Sequence, residues 1–322
     1  MGKGKMFPRL IALLLMCLIA AGCQSAPTDA AVPSQPGTAS DTSLSQGSRD
    51  NTPKVLVPKA DGTVTYGNEL AIIDASHASE GYIMAKYTGT KEKVKLLISA
   101  PGFEKTYQYT FRSNDFETFP LTGGSGTYTL EVRENVGGNQ YALAFKLETE
   151  FTIDDELTPF LYPNQYINFT KDSQAVEKGK ELAGPASTDL DVVANVYNFV
   201  VNNVAYDYDK AGDSKALKLY LPVPDETLET KKGICFDYAA LMVTMLRSQQ
   251  IPTRLEIGYA GTTYHAWIST YVDDIGWVDN IIQFDKDTWT MMDPTFASTG
   301  KGDEATEKFI TDKTNYQTIY IY

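Results

Sequence analysis

The chain has 322 residues, 43% hydrophobic and 21% charged, with a formal net charge of −13. Its length suggests about two domains, its apolar fraction excludes a wholly disordered or fibrous chain, and its acidic balance argues against a nucleic-acid-binding surface. With three cysteines and two histidines, a disulfide scaffold is excluded and a zinc cluster disfavoured, so neither metal nor cofactor is expected.

The chain opens with Lys3, Lys5 and Arg9 ahead of an apolar run from Leu10 to Ala21. That run is too short to cross a bilayer, which takes about 20 residues, but it suits a secretory signal. Ala20, Ala21 and Gly22 then lead into Cys23. The segment resembles a bacterial lipobox, which implies cleavage after residue 22, lipidation of Cys23 and a membrane-anchored protein facing outside the cytoplasm. Cleavage there would remove three cations and no acid, taking the net charge to −16. Cys17 would leave with the signal and Cys23 would carry lipid, so Cys235 is the one thiol left for chemistry. An inert buried cysteine is the competing reading.

Residues 23–55 are rich in Ser, Thr, Ala, Pro and Gly. Such a stretch cannot bury a core and reads as a disordered tether. Residues 56–155 carry short alternating runs, such as Tyr107-Gln108-Tyr109-Thr110-Phe111 and Tyr128 to Val132. A glycine turn at 137–138 is followed by Tyr141, Leu143, Phe145 and Leu147 at period two. This pattern predicts an antiparallel β-sandwich, of immunoglobulin-like type. His77 has no acidic or cysteine neighbour at ligand spacing and reads as a surface or core histidine.

Residues 156–322 change period and read as an α+β domain. Thr188 and Asp191 fit a capping box for a helix whose apolar face is Val192, Val193, Val196, Phe199 and Val200. A second helix is expected from Cys235 to about Arg247, ahead of Pro252, followed by strands at 253–259, 264–272 and 289–292. Asp207 to Gly212 begins like a calcium loop, but Lys218 stands where the bidentate acid belongs, so it is rejected.

Cys235 lies where a glycine loop, Lys232-Gly233-Ile234, turns into a helix. The unpaired N–H groups and partial positive charge of a helix start favour a thiolate, and the Cys235 N–H points where an oxyanion would form. A thiol nucleophile needs a base, and the base an orienting group. His265 stands on an alternating strand, and Asp293 ends another that Pro294 terminates. If the two strands are neighbours, Asp293 would hold one imidazole nitrogen and the other would face Cys235.

The segments GICFDYAAL, YHAWISTYV and WTMMDPTF, in that order and with GWVDN between the last two, resemble the transglutaminase-like superfamily, a branch of the papain-like thiol enzymes. The resemblance covers about 185–300. It implies Cys235 as nucleophile, His265 as base and acid, Asp293 as orienting group, and an enzyme acting on amide or peptide bonds of a protein or peptide through a Cys235 thioester. Hydrolysis is favoured slightly over transfer to an amine. A second oxyanion donor could come from Tyr206, Tyr208 or Tyr264, while Asp237 is explained by the helix dipole alone. The competing reading is a non-catalytic surface module that binds through its sandwich, with the second domain as scaffold.

Overall fold

In the computed structural model, residues 46–322 are described apart from Lys218, Asp274, Asn280, Ile281, Lys286, Asp287, Met292 and 300–303. The signal segment, Cys23 and most of the expected tether lie outside the described residues. Among the described residues no helix is long and apolar enough to cross a membrane.

Eight strands come first: β1 (Thr65–Gly67), β2 (Ala71–Asp74), β3 (Tyr82–Tyr87), β4 (Val94–Ser99), β5 (Tyr107–Thr110), β6 (Glu117–Pro120), β7 (Gly126–Gly137) and β8 (Gln140–Phe151). They form two antiparallel four-stranded sheets, ordered β1-β2-β3-β6 and β5-β4-β7-β8. The alternation seen in the sequence is the reason. Leu96, Ile98, Tyr109, Tyr128, Leu130 and Val132 turn inward and are almost fully buried, while Lys95, Gln108 and Arg133 between them take the other face.

The second half runs through α1 (Gln174–Ala183), α2 (Asp189–Asn203), β9 (Ala205–Tyr206), α3 (Tyr208–Gly212), α4 (Ser214–Leu217) and α5 (Pro224–Thr230). It continues with β10 (Lys232–Gly233), α6 (Cys235–Ser248), β11 (Thr253–Ala260), β12 (Thr263–Val272), β13 (Gly276–Asp279), β14 (Ile282–Asp285) and β15 (Thr288–Met291). Last come α7 (Pro294–Thr299), α8 (Glu304–Ile310) and β16 (Tyr316–Ile321). The expected capping box is present at α2: Asp191 N donates to the Thr188 hydroxyl, and Thr188 N to the Asp191 carboxylate. A four-stranded antiparallel sheet, β13-β12-β11-β16, packs against α6. The whole is therefore α+β.

Helix α6 is the hub. Ala239, Leu241, Met242, Val243, Met245 and Leu246 are all buried, so it is apolar on nearly every side. At its far end, fully buried Arg247 donates to main-chain oxygens of Tyr162, Thr253 and Tyr322. Burial lowers its pKa to about 9.

The two halves meet along an aromatic seam. Tyr322 packs against Tyr107, Tyr109 and Tyr166, and Ile321 N donates to the Tyr107 hydroxyl at 2.8 Å. Arg112 reaches across to the Leu219 carbonyl at 2.7 Å.

Two local features differ from the sequence reading. The last ten residues of the expected tether are docked: Gly47 N donates to Gly184 O at 3.0 Å, Lys54 N to Ser248 O at 2.8 Å, and Arg49 pairs with Asp189 at 2.6 Å. Polar bonds hold this stretch, with Val55 at its end packed against the core, which composition alone does not reveal. His77 does have acidic partners: Glu80, three residues on, at 2.7 Å and Asp61 at 2.9 Å. Asp61 lies 16 residues upstream and is brought close only by the fold.

Candidate active site

The start of α6 is built by what precedes it. Strand β10 pairs in parallel with β9, setting Gly233 beside Tyr206, and the chain then turns at Ile234 into the helix that begins with Cys235. Asp237 closes this turn by accepting the Ile234 N–H at 2.8 Å. Gly233 is required for that closure, because a Cβ there would stand 2.6 Å from the Asp237 Cβ. Asp237 is fully buried, accepts from Lys210 Nζ at 2.8 Å and takes the Tyr220 hydroxyl proton in a second bond. Lys210 Nζ also sits 3.9 Å from the centre of the Tyr220 ring. The residue that sequence explained by the dipole alone is the buried anchor of a Lys210–Tyr220–Asp237 cluster whose other two members are half-buried. Lys210 lies in the five-residue α3 and Tyr220 just beyond the four-residue α4, both too short for a periodicity to mark them.

Cys235 is half-buried and opens on a cleft of about 1130 Å³. His265 is 5% exposed, on β12 opposite Gly258 of β11, and lines the same cleft as Cys235. Its Nε2 lies 2.6 Å from Asp293 Oδ2, leaving Nδ1 for the sulfur. Asp293 is 1% exposed.

The route of Asp293 to His265 differs from the expected one. The strand before Asp293 is β15, which pairs with β14 in a separate hairpin, not with β12. Asp293 instead stands at the start of α7, where its Oδ1 accepts from Thr295 N at 2.9 Å and Phe296 N at 3.3 Å. The helix start fixes the carboxylate, and its free oxygen faces the imidazole. Phe296 of the same helix packs on the His265 ring.

Burial alone would lower the His265 pKa. The Asp293 charge and hydrogen bond, with help from Cys235, outweigh burial and raise it to about 10. The imidazole is therefore cationic at neutral pH. The buried phenols of Tyr197 and Tyr316 are raised too, by burial first and the Asp293 charge as well.

Of the three tyrosines considered as oxyanion donors, Tyr206 and Tyr264 line the cleft with Cys235. Tyr208 is 70% exposed and outside the lining. Trp267 is buried beside Tyr316, as core packing requires. Asp207 of the rejected calcium loop caps α3 and pairs with Lys232. Among the described residues no group of acids, histidines and cysteines is placed to hold a metal.

Residues 177–280 match the family model described as the transglutaminase-like superfamily; the match includes Cys235 and His265 and ends before Asp293. The UPF0252 protein of Methanocaldococcus jannaschii is 34% identical over 92 residues, which is 26% of this chain and 26% of that protein. The match thus spans about a quarter of that relative's length. Among solved structures, a candidate cysteine protease from Cytophaga hutchinsonii is similar over 80% of this chain and 84% of its own, at 13% identity and a TM-score of 0.36. The periplasmic domain of TgpA from Pseudomonas aeruginosa is similar over 76% of this chain and 98% of its own, at 14% identity and a TM-score of 0.32.

Proposed function

We propose, on the premise that residues 177–280 are a transglutaminase-like domain, that the protein is a thiol enzyme acting on amide bonds of proteins or peptides. One observation carries the reading: Cys235 opens a helix on a cleft that it lines together with His265, whose imidazole is held 2.6 Å from buried Asp293.

In the proposed reaction the Cys235 sulfur attacks the amide carbonyl. The Cys235 N–H and the Tyr206 hydroxyl receive the oxyanion. His265, already cationic, gives its proton to the departing nitrogen, the C–N bond breaks and a thioester remains on Cys235. Neutral His265 then takes a proton from the second nucleophile as it attacks. The C–S bond breaks, and the sulfur is released with an acid or a new amide. Asp293 keeps the ring oriented throughout. Water reaches a thioester in an open cleft in vast excess over any amine, which favours hydrolysis. The leader sequence supports an extracytoplasmic protein anchored through Cys23. Cys23→Ser is expected to move the full-length protein from the membrane fraction to the soluble one.

The test offers the purified protein a pool of glutamine-containing proteins and a tagged amine. New peptide termini that disappear in Cys235→Ala are the expected result. Amine incorporation lost in the same variant would assign transfer instead. If neither product forms under conditions where Cys235 is reduced, the binding-module reading replaces the enzyme.

A further inference from the structure

The cleft that holds Cys235 is not enclosed by the second half alone. Its far wall is the outer face of the β5-β4-β7-β8 sheet. Lys95 of β4 pairs with Thr110 at the end of β5 and with Arg133 of β7, while Lys93 just precedes β4 and Arg112 just follows β5. Period two puts these side chains on the face opposite the sandwich core. The chain carries 41 acidic against 28 basic residues, yet among the described residues no aspartate or glutamate lines this cleft.

The cations are placed and mostly uncompensated. Arg133 is neutralised by Glu131 at 2.6 Å. Among the described residues the side chains of Lys93, Lys95 and Arg112 form no ion pair, although the Glu117 carboxylate accepts from the Arg112 main-chain N–H at 2.6 Å. Lys95 is steadied by Gln108 at 3.1 Å and by the Tyr141 ring at 4.7 Å, and Arg112 by the Leu219 carbonyl. Neither contact consumes a positive charge. At about 0.15 M salt, charges more than about 8 Å apart are largely screened. The distant acidic residues are then muted at the cleft, and its potential is set by the local cations together with Glu117, Glu131 and Asp237, the carboxylates bonded to lining residues.

We infer that the sandwich is the specificity element of the cleft, and that Lys93, Lys95 and Arg112 select a polypeptide carrying acidic side chains a few residues from the bond presented to Cys235. A polypeptide fits better than a charged glycan because tyrosines 141, 166, 206, 264 and 320 line the same cleft and offer flat surfaces to alternating side chains. The inference rests on the thiol-enzyme reading, and its test separates the two.

Matched peptidyl vinyl sulfones would carry Asp-Asp, Asn-Asn or Lys-Lys at successive positions from the second to the fifth residue beyond the electrophile. The second-order rate of Cys235 labelling is read at about 0.15 M salt. The acidic probe is expected to label at least about tenfold faster than the Asn probe at one of these positions, and the Lys probe slower than both. In Lys93→Gln/Lys95→Gln/Arg112→Gln the acidic advantage should fall to about twofold or less. Because Arg112 bonds the Leu219 carbonyl, the milder Lys93→Gln variant is run beside it, and a drop of about threefold is expected there. Equal rates for acidic and neutral probes in the wild type, or an acidic advantage that survives the triple variant, overturn the inference. Protection of Cys235 by polyglutamate but not by polygalacturonate is expected; the reverse order overturns the polypeptide assignment. Iodoacetamide distinguishes the two levels. Alkylation that depends on His265 without any charge preference removes only the acidic specificity. Alkylation indifferent to His265→Ala removes the enzyme and this inference with it.

Discussion

His265 shows how one neighbour reverses the effect of burial. Its raised pKa stabilises the fold fully below about pH 6.5, and that contribution is lost as pH rises through about 10. In Asp293→Asn burial remains while its largest opponent is gone. His265 should then titrate toward 6.5 or below, and ring-carbon NMR chemical shifts against pH would show it. The alkaline limb of any Cys235-dependent reaction should retreat to lower pH in the same variant; an unmoved limb would mean that Asp293 does not govern the imidazole. Cys235, His265 and Asp293 were legible because thiols and imidazoles are so scarce and because each sits beside a structural mark: a glycine loop, an alternating strand, a proline. The partners of Asp237 were not, since Lys210 and Tyr220 lie 27 and 17 residues upstream, in and just beyond helices too short for a periodicity. Asp237→Asn removes a charge-assisted cap and leaves Lys210 facing a neutral amide. It should destabilise the protein by about 2–4 kcal/mol in denaturant titration, whereas a residue answering only the helix dipole would cost under about 1 kcal/mol.

Among the elements, helices α2 and α6 and strands β11 and β12 were readable to within a few residues. Helix α2 carries one apolar face, while α6, β11 and β12 are apolar runs, buried nearly all round, set off by Gly233, Pro252 and Gly261. The hairpin of β7 and β8 was read less well. A bulge between Val132 and Arg133 pairs Val132 with Phe145 but Arg133 with Leu143. Two residues that share a face by simple alternation therefore point opposite ways, and Leu143 is exposed. The pairing of Asp293 with His265 through α7 rather than through adjacent strands was hidden for a related reason: which strands meet is a long-range fact. Strand β11 holds a comparable constraint at Gly258, opposite His265, where an added Cβ would come 1.9 Å from the Gln317 main-chain oxygen. Gly258→Ala should push β16 from β11 and cost about 2–4 kcal/mol. Hydrogen exchange should show amides of 316–321 losing protection before those of β12.

At the scale of the whole molecule, one hydrophobic core runs from Ala71 of the first sheet to Tyr322. The three tryptophans, Trp267, Trp277 and Trp289, all lie in the second half. Tryptophan fluorescence therefore reports that half alone, while far-ultraviolet circular dichroism reports both. The seam of Tyr107, Tyr109, Tyr166 and Tyr322 predicts coincident denaturant transitions by the two signals. A sandwich that melts separately would show a second step in the circular dichroism only. Composition could count two halves, but not see that they share a seam, because Tyr107 and Tyr109 look like any inward-facing strand residues.

Strand β16 also orders events in time. It pairs with β11 beside the His265 strand, and its Tyr320 lines the cleft with Tyr322 just beyond it. A nascent chain emerging from its N-terminus exposes Cys235 and His265, respectively, 85 and 55 residues before Tyr320 arrives. Until then the cleft has no complete wall and α6 lacks its Tyr322 contact through Arg247. Vectorial synthesis thus presents the Cys235 thiol in an unfinished setting, and the cleft is completed only when this late stretch pairs with β11.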